Sequence, residues 1–174
     1  MPEIHDTLRE LDRWYNELPG GSDRPTLLSK LAILELCGWL ELRFDSLVHT
    51  ASSHVGLASD WVETEVVRSN YGFQYSDHLR KMLCRVVGES AVRHVEFTFE
   101  ADHPGKLEQM KAVLGMLWKS RGLLAHTHSA APVVQQETIN APSWTINQQR
   151  VLARSIDLYE ASALKAFSRT IATP

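Results

Sequence analysis

The sequence predicts an all-α fold, a single helical-bundle domain of about five main helices spanning residues 1–174. Three observations carry that reading. Apolar residues recur in steps of three and four over several long stretches, which marks helices that bury one face. The stretch from Leu27 to Val48 is apolar nearly all round, as a helix contacted on several sides must be. Only one short segment, His94 to Glu100, alternates apolar and polar residues like a strand.

In chain order, Ile4, Leu8, Leu11, Tyr15 and Leu18 form the apolar face of a first helix that stops at Pro19-Gly20-Gly21. The second helix starts near Ser22 or Asp23, with Pro25 close to a first-turn position, and is the central one. Residues 51–73 are mixed, and Asp60 is placed to cap a short helix through Arg68. Tyr75, Leu79, Met82 and Val86 repeat at helical spacing and predict a third long helix ending at Gly88. In HVEFTFE, residues 94–100, Val95, Phe97 and Phe99 alternate with polar residues, so a short extended segment is expected there. Asp102 and Pro104 then open a helix whose stripe is Leu107, Met110, Leu114, Leu117 and Leu124. A loop of roughly 15 residues follows His128, long for a mere connection. Thr145 and Gln148 have capping-box spacing for the last helix, whose buried face is Leu152, Ile156, Tyr159, Ala163 and Ala166.

Composition bounds the function. Forty-four per cent apolar and 22% charged residues exclude wholesale disorder. No apolar run reaches the roughly 18 residues of a membrane span, so no membrane partner is expected. The charged, amphipathic N-terminus reads as neither a signal nor a transit peptide, and the expected compartment is the cytoplasm. Cys37 and Cys84 lie inside apolar helical patterns and read as buried free thiols. The net charge of −3 argues against sequence-blind nucleic-acid binding, but it is unevenly spread. Residues 1–100 hold 10 Lys/Arg against 16 Asp/Glu, whereas residues 101–174 hold 8 against 5. The basic excess therefore lies in the part of the chain that permits a polyanionic ligand.

That part contains the least core-like feature of the sequence. Arg121 falls on the apolar stripe of the Leu107 helix where another leucine is expected. A guanidinium cannot shed its charge, so on such a face it requires an anionic or strongly accepting partner. His126 and His128 follow within two turns. On a regular helix Arg121 and His126 are about 140° apart and Arg121 and His128 about 20° apart, so spacing alone favours His128.

Arg121-Gly-Leu-Leu-Ala-His126 is an R-x4-H motif near the end of a long helix, with a small residue before the histidine. In an all-helical domain of this size it resembles the stand-alone HEPN domains, as does the acidic, aromatic central helix with Glu35, Trp39 and Glu41. The resemblance implies a metal-independent endoribonuclease that uses no cofactor and leaves 2′,3′-cyclic phosphate ends. It assigns His126 as general base and acid and Arg121 as the group that stabilises the transferring phosphate. It also favours His126 over His128. Accessory candidates are His128, Lys119, Glu35 and Glu41, either glutamate being able to orient Arg121 or accept its charge. The partners implied are RNA, a second copy of the chain, and an antitoxin or defence-system protein that holds the activity in check. One departure stands out: many active members carry a polar residue after the arginine, and here it is Gly122.

Three rival readings stay open. Arg121 pairs with Glu35 or Glu41 in a purely structural role while the histidines only decorate a helix end. A catalytically silent HEPN-like module uses the same face to bind a protein or a nucleotide. A metal site forms from His126 and His128 with Asp102 or His103, although two histidines without a clear third ligand are weak evidence.

Overall fold

A 31-residue helix, α2 (Arg24–His54), is the axis on which most of the other elements pack. The computed structural model describes residues 4–19, 24–126 and 139–170, apart from the side chains of residues 125, 126 and 168–170. Before α2 comes α1 (Ile4–Glu17). After it, α3 (Ser59–Trp61) runs into a π-helical stretch, Val62–Val67. Next, α4 begins as the π-helical turn Tyr75–Leu79 and continues as Arg80–Val87. The remaining helices are α5 (Glu89–Asp102), α6 (Lys106–His126) and α7 (Pro142–Thr170). The fold is all-helical, as predicted, and no described helix is long and apolar enough to cross a membrane.

Burial explains the arrangement. Ile33, Leu36, Leu40, Phe44, Leu47 and Val48 of α2 are buried against α3, α4, α6 and α7. The α6 stripe Leu107, Met110, Leu114, Leu117 and Leu124 is buried as expected, and α7 contributes Leu152, Ile156, Tyr159, Ala163 and Phe167. A second, smaller cluster of Ile4, Leu8, Leu11, Ala32 and Ile146 holds α1 against α2 and α7. Cys37 is buried and Cys84 half-buried, and both are free thiols.

The helices are also tied by polar groups. The Tyr75 hydroxyl donates to Glu96 Oε1 at 2.8 Å and lies 2.9 Å from the Tyr159 hydroxyl. Arg80 Nε donates to the same Glu96 oxygen at 2.9 Å, so this carboxylate ties α5 to α4, and the Tyr75 hydroxyl carries the link on to α7. Burial pushes both phenols above their ordinary range, which keeps them neutral hydrogen-bonding groups. On the other side, Arg43 of α2 donates to Asp157 at 3.0 Å and to Glu160 of α7.

Several local expectations need correction. The segment 94–100 is not extended: it lies within α5. Val92, Val95 and Phe99 are buried at helical spacing, while Phe97 is 75% exposed, so the alternation of Val95, Phe97 and Phe99 was a coincidence of a helical face plus one exposed aromatic. Asp102 ends α5 rather than opening α6, which begins at Lys106 after a turn through Gly105, φ +75°. Asp60 sits inside the first turn of α3, whose N-cap position is Ala58. The last helix starts one turn early, at Pro142. Thr145 is buried in it, and its hydroxyl has no partner among the described residues, so it does not act as the cap. The long loop predicted after His128 falls mainly on residues 129–138, outside the described residues.

Candidate functional site

The site is built on one face of α2. Cys37, Glu41, Asp45 and His49 recur every four residues and therefore line up along it. Across from them, Arg121 NH1 of α6 donates to Glu41 Oε1 at 2.6 Å. The arginine side chain is 35% exposed and the glutamate 30%, so the pair lies at the edge of the core and reaches water. Two aromatic rings complete the seat. The guanidinium carbon is 5.7 Å from the Trp118 ring centre and 5.9 Å from that of Phe73. Phe73 and Trp118 meet edge to face at 5.6 Å. The predicted anionic partner of Arg121 is therefore Glu41.

The surrounding titratable groups show what this cluster does to charge. Burial pushes the Cys37 thiol up to about 12; Arg121 opposes that shift and Glu41 reinforces it. Such a thiol stays protonated and is no nucleophile. The Asp45 carboxyl is pushed up to about 6, first by burial and then by the charges of Glu41 and Glu63, with His49 opposing. Glu63 itself is held below the usual carboxylate range by hydrogen bonds from Arg68 (3.0 Å) and His49 (3.1 Å). Arg121 is thus paired with Glu41 and Arg68 with Glu63, while Asp45 sits among their carboxylates with no arginine of its own among the described residues.

That arrangement sets a pH dependence. The folded chain holds the Asp45 proton more tightly than the unfolded chain, so stability from this residue is present below pH 4 and lost as pH rises through about 6. Asp45→Asn is expected to raise Tm at pH 8 by about 2–4 °C, corresponding to roughly 1 kcal/mol after allowance for solvent screening. At pH 4 the gain should vanish. Thermal melts of both chains across pH 4–8 check this, and a gain of equal size at both ends would show that Asp45 carries no charge penalty.

His78, on the first turn of α4, lies near the same seat. Its ring is 5.0 Å from that of Trp118, and its Nδ1 accepts the Gln74 N–H at 3.2 Å. Burial lowers its pKa, so the imidazole is neutral at physiological pH.

Of the residues singled out in sequence, the fold brings Arg121 and Glu41 together and separates others. Glu35 is exposed; six residues before Glu41, it points about 120° away around α2. Lys119 is exposed, two residues before Arg121. Helix α6 continues through Gly122 to His126, whose side chain lies outside the described residues, as does His128 altogether. Asp102 and His103 flank the N-terminal end of α6, a 21-residue helix about 31 Å long, and cannot join a ligand set at its C-terminal end. Trp118, Phe73, His78 and Asp45 were not anticipated. The four-residue recurrence from Cys37 to His49 could have revealed Asp45, whereas Phe73 and His78 come from segments with no link to Arg121 in sequence.

Comparison with family models, with curated proteins and with solved structures gives no match for this chain.

Proposed function

We propose that the chain is a HEPN-like endoribonuclease that cleaves RNA phosphodiesters without a metal ion. The observation that carries this reading is the seat of Arg121. A permanently charged, planar donor reaches water at the edge of the core, steadied by one carboxylate and two rings, five residues before His126 on the same helix. Such a group suits the charge that builds on a phosphate during in-line attack. In the proposed reaction His126 takes the proton of the ribose 2′-hydroxyl, and the 2′-oxygen bonds to the adjacent phosphorus. The 5′-oxygen leaves with the proton that His126 took up, which restores the neutral imidazole and gives a 2′,3′-cyclic phosphate and a 5′-hydroxyl end. A homodimer is part of the proposal. Met116 and Leu123, seven residues apart on α6, are 37% and 50% exposed, and a second copy of the chain would cover them. A neutralising antitoxin or defence-system partner belongs to the same reading.

A second reading is favoured by the ion pair itself. With Glu41 already 2.6 Å from the guanidinium, the same face serves a catalytically silent module in which Arg121 is structural. A cleavage assay separates the two. With EDTA present, wild type is expected to cut tRNA or a labelled single-stranded RNA to cyclic-phosphate ends, and His126→Ala to abolish cutting. Loss only in His128→Ala would reassign the histidine. If wild type is as inert as the folded variants, the silent module takes the first place.

A further inference from the structure

A groove of about 420 Å³ lies between the end of the α3 π-helical stretch and α4. Its size falls within the range of about 300–1,000 Å³ usual for small-molecule sites. Val66 and Met82 are buried in its lining and give it an apolar floor. Ser69, Asn70 and Tyr71 form one wall; Asp77, His78, Lys81 and Arg85 of α4 form the other. From this lining we propose that the groove binds a phosphorylated nucleoside, either free or as one unit of an RNA strand.

Each part of such a ligand has a counterpart. Tyr71 is 83% exposed, the most exposed large hydrophobic side chain among the described residues, and stands at the rim where a base could stack on its ring. Met82 adapts to a planar ring on the floor. Lys81 and Arg85 are four residues apart, so both project from one face of α4. Arg85 NH1 donates to the neutral Ser69 hydroxyl at 2.9 Å and has no carboxylate partner among the described residues. Its guanidinium therefore enters the groove with its charge uncompensated, aimed by a hydrogen bond and ready for bidentate phosphate binding. Lys81 is bonded to Asp77 at 3.1 Å, but both side chains are largely exposed, and such a pair yields readily to a phosphate. Asn70, also in the lining, supplies amide donors and an acceptor for a base edge. His78, on the same α4 wall, has its pKa lowered by burial, so the basic groups of the groove are Arg85 and Lys81.

The binding does not depend on cleavage at Arg121. Calorimetric titration of the full chain with adenosine monophosphate, adenosine, inorganic phosphate and a short single-stranded oligoribonucleotide tests it. The monophosphate should bind saturably and at least about ten-fold more tightly than adenosine or phosphate alone. Arg85→Gln should weaken it by about 10–100-fold, as loss of a charged hydrogen bond to phosphate does. Tyr71→Ala, at an exposed position, should weaken it about ten-fold by removing the stack. Melting temperatures of both variants verify the fold. If the oligoribonucleotide binds far more tightly than the monophosphate and both variants weaken it, the ligand is a strand; equal affinities identify a free nucleotide, and either supports the site. No saturable binding of monophosphate or RNA, or binding that both variants leave unchanged, overturns it. Cleavage without groove binding would sink this inference and leave the proposed ribonuclease standing.

Discussion

Gly72→Ala is expected to lower Tm by about 5–20 °C, the largest loss among alanine substitutions at the described glycines. Gly72 is buried with φ +146°, a region that L side chains rarely adopt. A Cβ there would lie 2.5 Å from His78 Nε2 and 2.7 Å from Trp118 Cζ3. Neither ring can retreat cheaply. His78 is bonded at Nδ1 to the Gln74 N–H, and Trp118 is packed on Phe73 and beside Arg121. Backbone strain of about 1–3 kcal/mol and overpacking of about 1–3 kcal/mol act together. Against a total stability of about 5–15 kcal/mol that is a severe loss, at about 2–4 °C per kcal/mol for a chain of this size. Gly122→Ala provides the contrast, since a Cβ there meets nothing within 4 Å and alanine favours a helix by about 1 kcal/mol. Thermal melts decide the matter. A Gly72→Ala chain that melts within 2 °C of wild type would mean that the close approach of these rings is not a constraint.

The same residues show how far the sequence could be read. The α6 stripe was legible because burial on one face of a regular helix leaves a 3–4 repeat, and every apolar member of it is buried. Arg121 was legible as an exception to that repeat, and the need for an anion narrowed its partner to two glutamates of the central helix. Choosing between them required the rotation of α2 relative to α6, which no local pattern encodes. Glu41 is 80 residues away in sequence from Arg121. The misreading of 94–100 has a different cause. A helix can place aromatic residues two apart when one of them is exposed, and Phe97 is such a residue. Over seven residues, period 2 and period 3.6 share enough positions to be confused; Val92, one turn upstream, breaks the tie only if the window is widened. The contacts of Trp118 with His78 and Phe73 go with the close approach at Gly72, and that positive-φ backbone is a tertiary property.

The ion pair at the site makes the sharpest functional prediction. If Arg121 carries charge stabilisation in RNA cleavage, Arg121→Ala should reduce kcat about 10²–10³-fold, the usual loss for one such donor. Arg121→Lys keeps the charge but not the planar fork, and should recover less than a tenth of the activity. Glu41 acts differently, because it touches the arginine and not the phosphate. Glu41→Gln keeps the shape and one acceptor oxygen while removing a negative charge from beside the substrate's phosphate. The rings of Trp118 and Phe73 still flank the guanidinium. The expected result is a KM for RNA several-fold lower, with kcat changed far less than by Arg121→Ala. Stability responds in the opposite order. Arg121→Ala leaves Glu41 next to Asp45 and Glu63 without its counter-charge, so the variant should be least stable above pH 6, where Asp45 also ionises. Removing Glu41 as well should restore part of that loss, with a coupling of about 0.5–3 kcal/mol between the two positions. Kinetics and melts of the two single variants and the double variant therefore separate the roles. Coupling in stability with no change in either kinetic constant would make the pair a strut between α2 and α6 and move the chemistry away from Arg121.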